Sequence, residues 1–419
     1  MMAFRAQCPL SRWSFFVEKE WRLFRLGNTK LSGLFLLWIG AAISIAEIVT
    51  GTLIAPLGWQ VGLMAIILGH VIGCFVFLLP AGYLSAQQNR TAIKATKTVF
   101  GETGVTLFSL LNAVQLLGWT AVMIVNAQLA MNGIAKSLFH YQSVVVMSVI
   151  VAVMIIIWLL MNHNWLFKIN NVIVVLLAIG MVLILFTIIG EGRLKAGANL
   201  APISFGSAVE LNVTMALSWL PLIGDYTQHT DRPFKTSLAS VSGYFVGSIA
   251  MFALGLFTVI LTGQSDFTTV LSHSSMGLVA LLIIVFSTVT TTFMDAYSAA
   301  TNVANLVKTK RVNVIAIVIT VLGLLIALFV SMAYYQNFLY AIGAVFTPLF
   351  AILFVSVFWM HQRLSITLNF VWWVIGVVGY SWLQRLDFFL GTTFFLLLVL
   401  SIGVYLTSLV APKYPLIED

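Results

Sequence analysis

The chain has 419 residues, of which 61% are hydrophobic and only 8% charged, and its mean hydropathy is +1.05. A soluble domain of that length needs a charged surface, so the composition excludes one and points to a membrane protein. The net charge of +8 sits in the connections between apolar runs, where it reads as an orientation signal for the lipid bilayer and not as a nucleic-acid patch.

Residues 1–32 hold Trp13, Phe15, Phe16 and Trp21 among charges and lack the apolar core and small-residue cleavage site of a signal peptide, so they read as a cytoplasmic amphipathic segment lying along the membrane face. Twelve apolar runs follow, at 33–57, 60–82, 104–134, 143–162, 166–189, 207–227, 236–261, 276–306, 312–332, 337–358, 366–384 and 388–409. Each is long enough to cross the bilayer as helix, which takes ~20 residues. Their unbroken character excludes barrel strands, which alternate. The expected fold is an all-α polytopic membrane protein with twelve transmembrane spans.

Basic residues concentrate before span 1 (Arg5, Arg12, Lys19, Arg22, Arg25, Lys30) and after spans 2, 6, 8 and 10 (Arg90, Lys94, Lys97; Arg232, Lys235; Lys308, Lys310, Arg311; Arg363). The other side offers Lys136, Arg193, Lys195 and Arg385. The positive-inside rule then places both termini, including the tail 410–419, in the cytoplasm. Cys8 and Cys74 cannot both be extracellular, so free thiols are expected. The longest connections, 83–103 and 190–206, leave little room for a catalytic domain.

Ionisable groups inside spans are costly and mark function. Three acids are placed there: Glu47 in span 1, Asp225 near the end of span 6 and Asp295 in span 8. Span 1 is rich in Ala, Ser and Thr between Gly40 and Gly51, which suits either close helix packing or an unwound turn serving a ligand or ion. Span 3 carries Gln115 and Trp119 on one face, an amide and a flat indole that suit an aromatic, hydrogen-bonding ligand. In span 6, Pro221 removes a backbone donor and clashes with the carbonyl of Leu217, freeing groups beside Ser218 and Trp219. Span 8 reads FSTVTTTFMDAYSAATNVANL, far too polar for lipid, and hydroxyls of Thr290 and Thr291 with freed carbonyls of span 1 could form an oxygen cage for a hard cation such as Na⁺. Hydroxyls bonding back to their own helix are the alternative.

Spans 1 and 6 open two successive groups of five, and both are interrupted and acidic. Because five is odd, the second group inserts upside down, giving an inverted repeat with paired broken helices. The repeats are expected at 33–189 and 207–358, with two further helices at 366–409.

SWLPLIGDYT in span 6, the Gln115/Trp119 pair and TTTFMDAYSA in span 8 resemble the nucleobase:cation symporter-1 family across essentially the whole chain, and GAAISIAEIVTGTLIAPLG is most similar to its hydroxymethylpyrimidine (thiamin precursor) branch. The resemblance implies a LeuT-like five-plus-five fold with two extra C-terminal helices in a bacterial inner membrane. It implies substrate stacking on Trp119, with Gln115, Ala216, Ser218 and Trp219 around it. It also implies a cation site built from carbonyls near Ile43 and Ala46 with Thr290 and Thr291. The chain departs from the family pattern where Asp295 stands at an asparagine position, where Glu47 falls at a position often neutral, and where Gln228 replaces the usual Arg. Either carboxylate could accept the paired N–H groups of an aminopyrimidine, so Glu47 and Asp295 are substrate-site candidates, while Pro221 and Asp225 are assigned as gate or structural residues.

The expected function is import of a pyrimidine-type, small heteroaromatic substrate by alternating access. No cofactor is expected, only a coupling ion, Na⁺ at the oxygen cage or H⁺ on Glu47 or Asp295. A cytosine, purine, other nucleobase or hydantoin permease is the alternative. A passive channel and an intramembrane enzyme are remoter ones, since the six histidines are scattered, most near span ends, and form no H-E-x-x-H motif.

Overall fold

A computed structural model describes residues 31–161, 179, 201–272 and 277–417. The expectations for the N-terminal segment 1–32, for Cys8 and for span 5 with Arg193 and Lys195 fall wholly or almost wholly outside these residues. Among the described residues every regular element is helical, and eight helices are long and apolar enough to cross a membrane.

Span 1 is two helices, α1 (Leu31–Ala42) and α2 (Ile45–Leu53), separated at Ile43 and Ser44. The second begins where Ser44 adopts extended backbone and its hydroxyl accepts the Glu47 N–H, a helix N-cap. Gly58, at φ +75°, then turns the chain into α3 (Gly58–Val71), a conformation that only glycine adopts without strain. A π-helical stretch at Ile72–Leu78 continues into α4 (Leu79–Gln88). The stretch 83–103, expected as a connection, is largely helical: α4 reaches Gln88, α5 covers Ala92–Ala95, and α6 runs from Lys97 to Phe139. Its many polar residues hid helix whose apolar sides face the protein, as buried Leu84, Ile93 and Val99 show.

Next come α7 (Val144–Leu160), then α8 (Phe205–Leu217) and α9 (Leu220–Thr227), the two halves of span 6. Pro221 occupies the first turn of α9, where its missing N–H leaves no intrahelical bond unmade. The break therefore lies at Ser218 and Trp219, just before the proline. The remaining helices are α10 (Pro233–Thr262), α11 (Phe267–Ser272), α12 (Gly277–Leu306), α13 (Val312–Phe329), α14 (Tyr335–Phe354, prolonged by a π-helical turn at Val355–Met360), α15 (Ile366–Leu383) and α16 (Thr392–Val410).

The packing forms two bodies and a C-terminal group. In one body α10 packs against α1, α2, α3 and α4, and α8 against α3. In the other α6 packs against α12, α13 and α7. Helices α14, α15 and α16 pack on one another, and α14 and α16 also touch α8. Small residues set the first body's spacing. A Cβ on Gly51 would strike the Phe252 carbonyl, one on Gly255 the Ile48 carbonyl, and one on Gly243 the Phe35 carbonyl. Close backbone approach of this kind replaces the hydrophobic drive that lipid does not supply. At the far end of the chain Arg363 and Tyr414 exchange backbone hydrogen bonds, which tethers the tail across the α14–α15 turn.

These contacts predict a contrast between two glycines. Gly255→Ala should destabilise by about 1–3 kcal/mol through forced separation of α2 and α10. Gly33→Ala, where nothing lies within 4 Å of the added methyl, should leave stability unchanged or slightly raised. Thermal unfolding of the two purified variants in one detergent checks the pair.

Candidate functional site

The two helix breaks meet at one cavity. Its wall takes Ala41, Ser44, Ala46 and Glu47 from the first break and Met215, Ser218, Trp219 and Leu222 from the second. Leu116, Trp119 and Met123 of α6 and Asp295 of α12 complete it from the other body. The cavity thus lies between the two packed bodies. In this state the walls close to a space of water size, so a heterocycle enters only when the bodies or their side chains part.

Ser44 and Glu47 have the S-x-x-E spacing of a capping box, but the Glu47 carboxylate does not turn back to the cap. It accepts from the Tyr244 hydroxyl at 3.0 Å and the Ser248 hydroxyl at 2.6 Å, both on α10. Ser248 Oγ in turn lies 2.6 Å from Nε2 of His70, whose Nδ1 lies 2.8 Å from the Ile66 carbonyl. All four side chains are buried. His70, buried within span 2, is therefore a member of the site's support. The sequence signal for this network was a repeat of small and hydroxyl residues along α10, including Ser240, Tyr244 and Ser248, at helical spacing.

Asp295 is 4% exposed and lines the cavity. No hydrogen bond or ion pair engages its carboxylate among the described residues. Trp119 is held edge-on by Tyr335 and Phe338 of α14, at centroid distances of 6.2 and 5.5 Å. Trp219 is backed by Trp38 at 5.4 Å and Tyr244 at 6.0 Å. Gln115 stands behind the wall: its Nε2 donates to the Ser218 carbonyl at 2.7 Å, satisfying a backbone group that the break in span 6 exposes. Ala216 turns towards the π-helical stretch Ile72–Leu78, where its methyl lies against Gly73.

Around the expected oxygen cage, the Ser287 hydroxyl donates to the Ile43 carbonyl at 2.8 Å, while the Thr290 hydroxyl bonds back to its own helix, donating to the Ser287 carbonyl at 2.8 Å. The Ala46 carbonyl accepts from Thr50 at 2.7 Å. Thr291 is buried nearby on α12. Ser287, absent from the sequence reading, is the residue that joins the span 1 break to α12. It lies one turn before Thr291 in a hydroxyl-rich stretch, which was the available signal.

The C-terminal end of α9 is pinned to α4 and α5. A Cβ on Gly224 would strike the Ala92 amide, and Thr227 donates to the Gly82 carbonyl at 3.0 Å. Asp225 is half-buried there, within reach of the Lys94 charge on α5.

A further correction concerns Glu210. Only three acids were placed within spans, yet Glu210 on α8 is 1% exposed. It accepts from Tyr380, and from the Thr393 amide at 2.9 Å and the Thr393 hydroxyl at 2.6 Å. It sits near the start of an apolar run, where a surface position is the usual reading, and its partners lie some 170 residues away in sequence.

Two half-helices broken beside a cavity between two packed bodies define the architecture of a secondary transporter. The chain belongs to the family of permeases for cytosine/purines, uracil, thiamine and allantoin, whose model matches residues 27–414. It is thus a multi-pass membrane transporter and not an enzyme. Among solved structures the fold is similar to Mhp1, a nucleobase-cation-symport-1 family transporter, in a closed conformation with bromovinylhydantoin bound. That match has a TM-score of 0.72 at 17% identity, covering 92% of this chain and 93% of that one. The inward-facing conformation of Mhp1 gives 0.73 at 15% identity, covering 93% of each chain. A substrate-bound, outward-open Na⁺-coupled sialic acid symporter gives 0.65 at 13% identity, covering 92% of this chain and 91% of that one. Comparison with curated protein sequences finds no match.

The Gln115 contact yields a prediction. Gln115→Leu leaves the Ser218 carbonyl buried and unpaired, which should cost about 1–3 kcal/mol. A lowered melting temperature, with Gln115→Glu losing less than Gln115→Leu only at pH values where that side chain is protonated and can donate, is the expected result.

Proposed function

We propose that this transporter imports a pyrimidine-type substrate, with hydroxymethylpyrimidine the first candidate, by cation-coupled alternating access. The observation that carries the reading is Asp295: a buried carboxylate on the cavity wall with no protein partner among the described residues, in a site whose other large side chains are Trp119 and Trp219. An uncommitted buried carboxylate is costly unless a ligand or cation supplies donors. An aminopyrimidine does so, because its exocyclic N–H and protonated ring nitrogen match both carboxylate oxygens. Glu47 is less available for this role, since Tyr244 and Ser248 already hold its two oxygens. Cytosine, with the same amino-azine edge, is the nearest alternative, and purines, other nucleobases and hydantoins follow.

Alternating access follows from the cavity's position between two bodies. In this reading spans 1–5 and 6–10 form inverted repeats, spans 11 and 12 are additions, and both termini face the cytoplasm of a bacterial inner membrane. Rocking of one body against the other exposes Trp119 and Asp295 to each side in turn.

Two coupling ions have separate support. Na⁺ coupling fits the carbonyls of Ile43 and Ala46 beside the hydroxyls of Thr290 and Thr291, all oxygen donors. The similar Na⁺-coupled sialic acid symporter agrees with it. H⁺ coupling rests on hydrogen-bond arithmetic along Glu47, Ser248 and His70. Nδ1 of His70 meets a carbonyl and so carries a hydrogen. With a neutral imidazole and an ionised Glu47, the single Ser248 proton serves only one of two neighbours at 2.6 Å. One more proton, on the carboxyl or on Nε2, satisfies every contact in the chain.

Uptake of labelled hydroxymethylpyrimidine into proteoliposomes tests both parts. Asp295→Asn should weaken its apparent affinity roughly tenfold to a hundredfold, the ~1.5–3 kcal/mol of a hydrogen bond to a charged group. The same change should leave competition by uracil, whose edge alternates N–H and C=O, little altered. An Asp295→Asn protein with wild-type affinity for the aminopyrimidine would overturn the assignment. Replacing Na⁺ by choline at fixed pH should abolish uptake under Na⁺ coupling and spare it under H⁺ coupling.

A further inference from the structure

The side of α6 that carries Trp119 continues past the cavity. Met123 lines the cavity one turn after Trp119, and Asn126 comes one turn after Met123, so all three share one side of the helix. Asn126 lies about 4.5 Å along the axis beyond Met123, at ~1.5 Å per residue. One turn further on, Ala130 packs in an apolar cluster with Ile43 at the first break and with Ile284 and Val285 of α12. Asn126 is thus enclosed between the cavity wall and that cluster, on the surface where the two bodies meet.

Its side chain is 0% exposed, and neither Oδ1 nor Nδ2 has a hydrogen-bond partner. Among the described residues it is the one side-chain amide with both ends buried and unpartnered. Asparagines with structural roles in this chain behave otherwise. Asn212 donates to the Ala208 carbonyl of its own helix at 2.7 Å, Asn369 donates to the Val99 carbonyl at 3.0 Å, and Asn132 accepts the Ser143 amide at 3.0 Å. Asparagine is also a poor helix former, so local propensity does not account for it here. A buried amide without partners disfavours the closed state, and a ligand group that supplies a donor or an acceptor removes that cost.

The chemistry of that group follows from the reading of the cavity as an aminopyrimidine site, on which this inference rests. In hydroxymethylpyrimidine the hydroxymethyl group stands on the ring carbon next to the one that bears the amino group. With the amino-azine edge on Asp295, the alcohol projects beside that edge and needs a polar partner of its own. The hydroxyls of the cavity wall are already engaged: Ser218 donates to the Met215 carbonyl at 2.6 Å, and Ser44 accepts the Glu47 amide. Leu116 and Met123 of α6 are apolar. An alcohol answers either end of an amide, donating to Oδ1 or accepting from Nδ2, whereas a methyl answers neither.

We propose that Asn126 is a specificity-determining residue of the transport site, its amide holding the hydroxyl of a hydroxymethyl-substituted aminopyrimidine. Asp295 then selects for the amino-azine edge and Asn126 for the alcohol beside it. A site built to pair a hydroxyl rejects the analogue that lacks it, because its own polar group is left unmet.

Isothermal titration of the purified full-length protein, with Na⁺ at fixed pH, tests this with two ligands: hydroxymethylpyrimidine and the analogue whose hydroxymethyl is a methyl. Wild-type protein should bind the alcohol roughly tenfold or more tighter than the methyl analogue. Asn126→Leu should bring that ratio to about one by weakening the alcohol alone. It should also melt no lower than wild type, since no partnered group is removed. Asn132→Leu, which strands the Ser143 amide, should melt lower and keep the ratio. Asn126→Ala is a second, smaller replacement for which the same loss of ratio is required. A wild-type ratio near one, an Asn126 variant that keeps the wild-type ratio, or one that weakens both ligands equally would overturn the proposal. Wild-type protein that binds neither ligand would refute the substrate assignment instead. Hydroxymethylcytosine against methylcytosine then puts the same question to Asn126 on the alternative amino-azine ring, and no binding of that pair overturns both readings.

Discussion

Everything at the centre of this protein depends on one constraint: backbone and charged groups withdrawn from water inside a membrane must find partners within the protein. Breaking span 1 at Ile43 and Ser44, and span 6 at Ser218 and Trp219, frees carbonyls and amides in the buried interior. The fold answers them one by one. Ser287 takes the Ile43 carbonyl, Gln115 takes the Ser218 carbonyl, and Ser44 caps the Glu47 amide. Two of these partners, Ser287 and Gln115, come from the opposite body. The breaks are thus held open by the same surface that must separate from them for substrate to pass.

The same accounting explains how the buried acids divide their roles. Glu47 is held by Tyr244 and Ser248, and Glu210 by Tyr380 and Thr393; both are built into the framework. Asp225 lies near the C-terminal end of α9 within reach of the Lys94 charge. Asp295 alone among these four faces the cavity without a partner among the described residues. A carboxylate left over in an otherwise satisfied interior is where a ligand's donors are most strongly favoured.

Much of the fold was legible in the sequence because bilayer thickness imposes length. An apolar run of about 20 residues is a span whatever its neighbours are, and Gly, Pro and acids inside such runs are visible exceptions. The runs around Glu47 and around Ser218 to Pro221 were recognisable on that ground, and helix breaks do fall at both. The stretch 83–103 was misread because its helices α4 and α5 mix buried apolar residues with polar ones, so that hydropathy no longer discriminates. Glu210 was passed over because its burial is created by Tyr380 and Thr393, residues from two other helices.

The sequence by itself determined that this is a helical membrane protein with polar, interrupted spans, since hydrophobic length and costly intramembrane charge are properties of single segments. Only the tertiary structure decided which of those polar residues answer to the protein and which answer to a ligand. That distinction depends on distances between segments: Gln115 to the Ser218 carbonyl, Glu47 to Ser248 and His70, Glu210 to the first turn of α16. A hydrogen-bond donor committed to the backbone and one available to a substrate have the same letter in the sequence, and differ only in what stands within 3 Å of them.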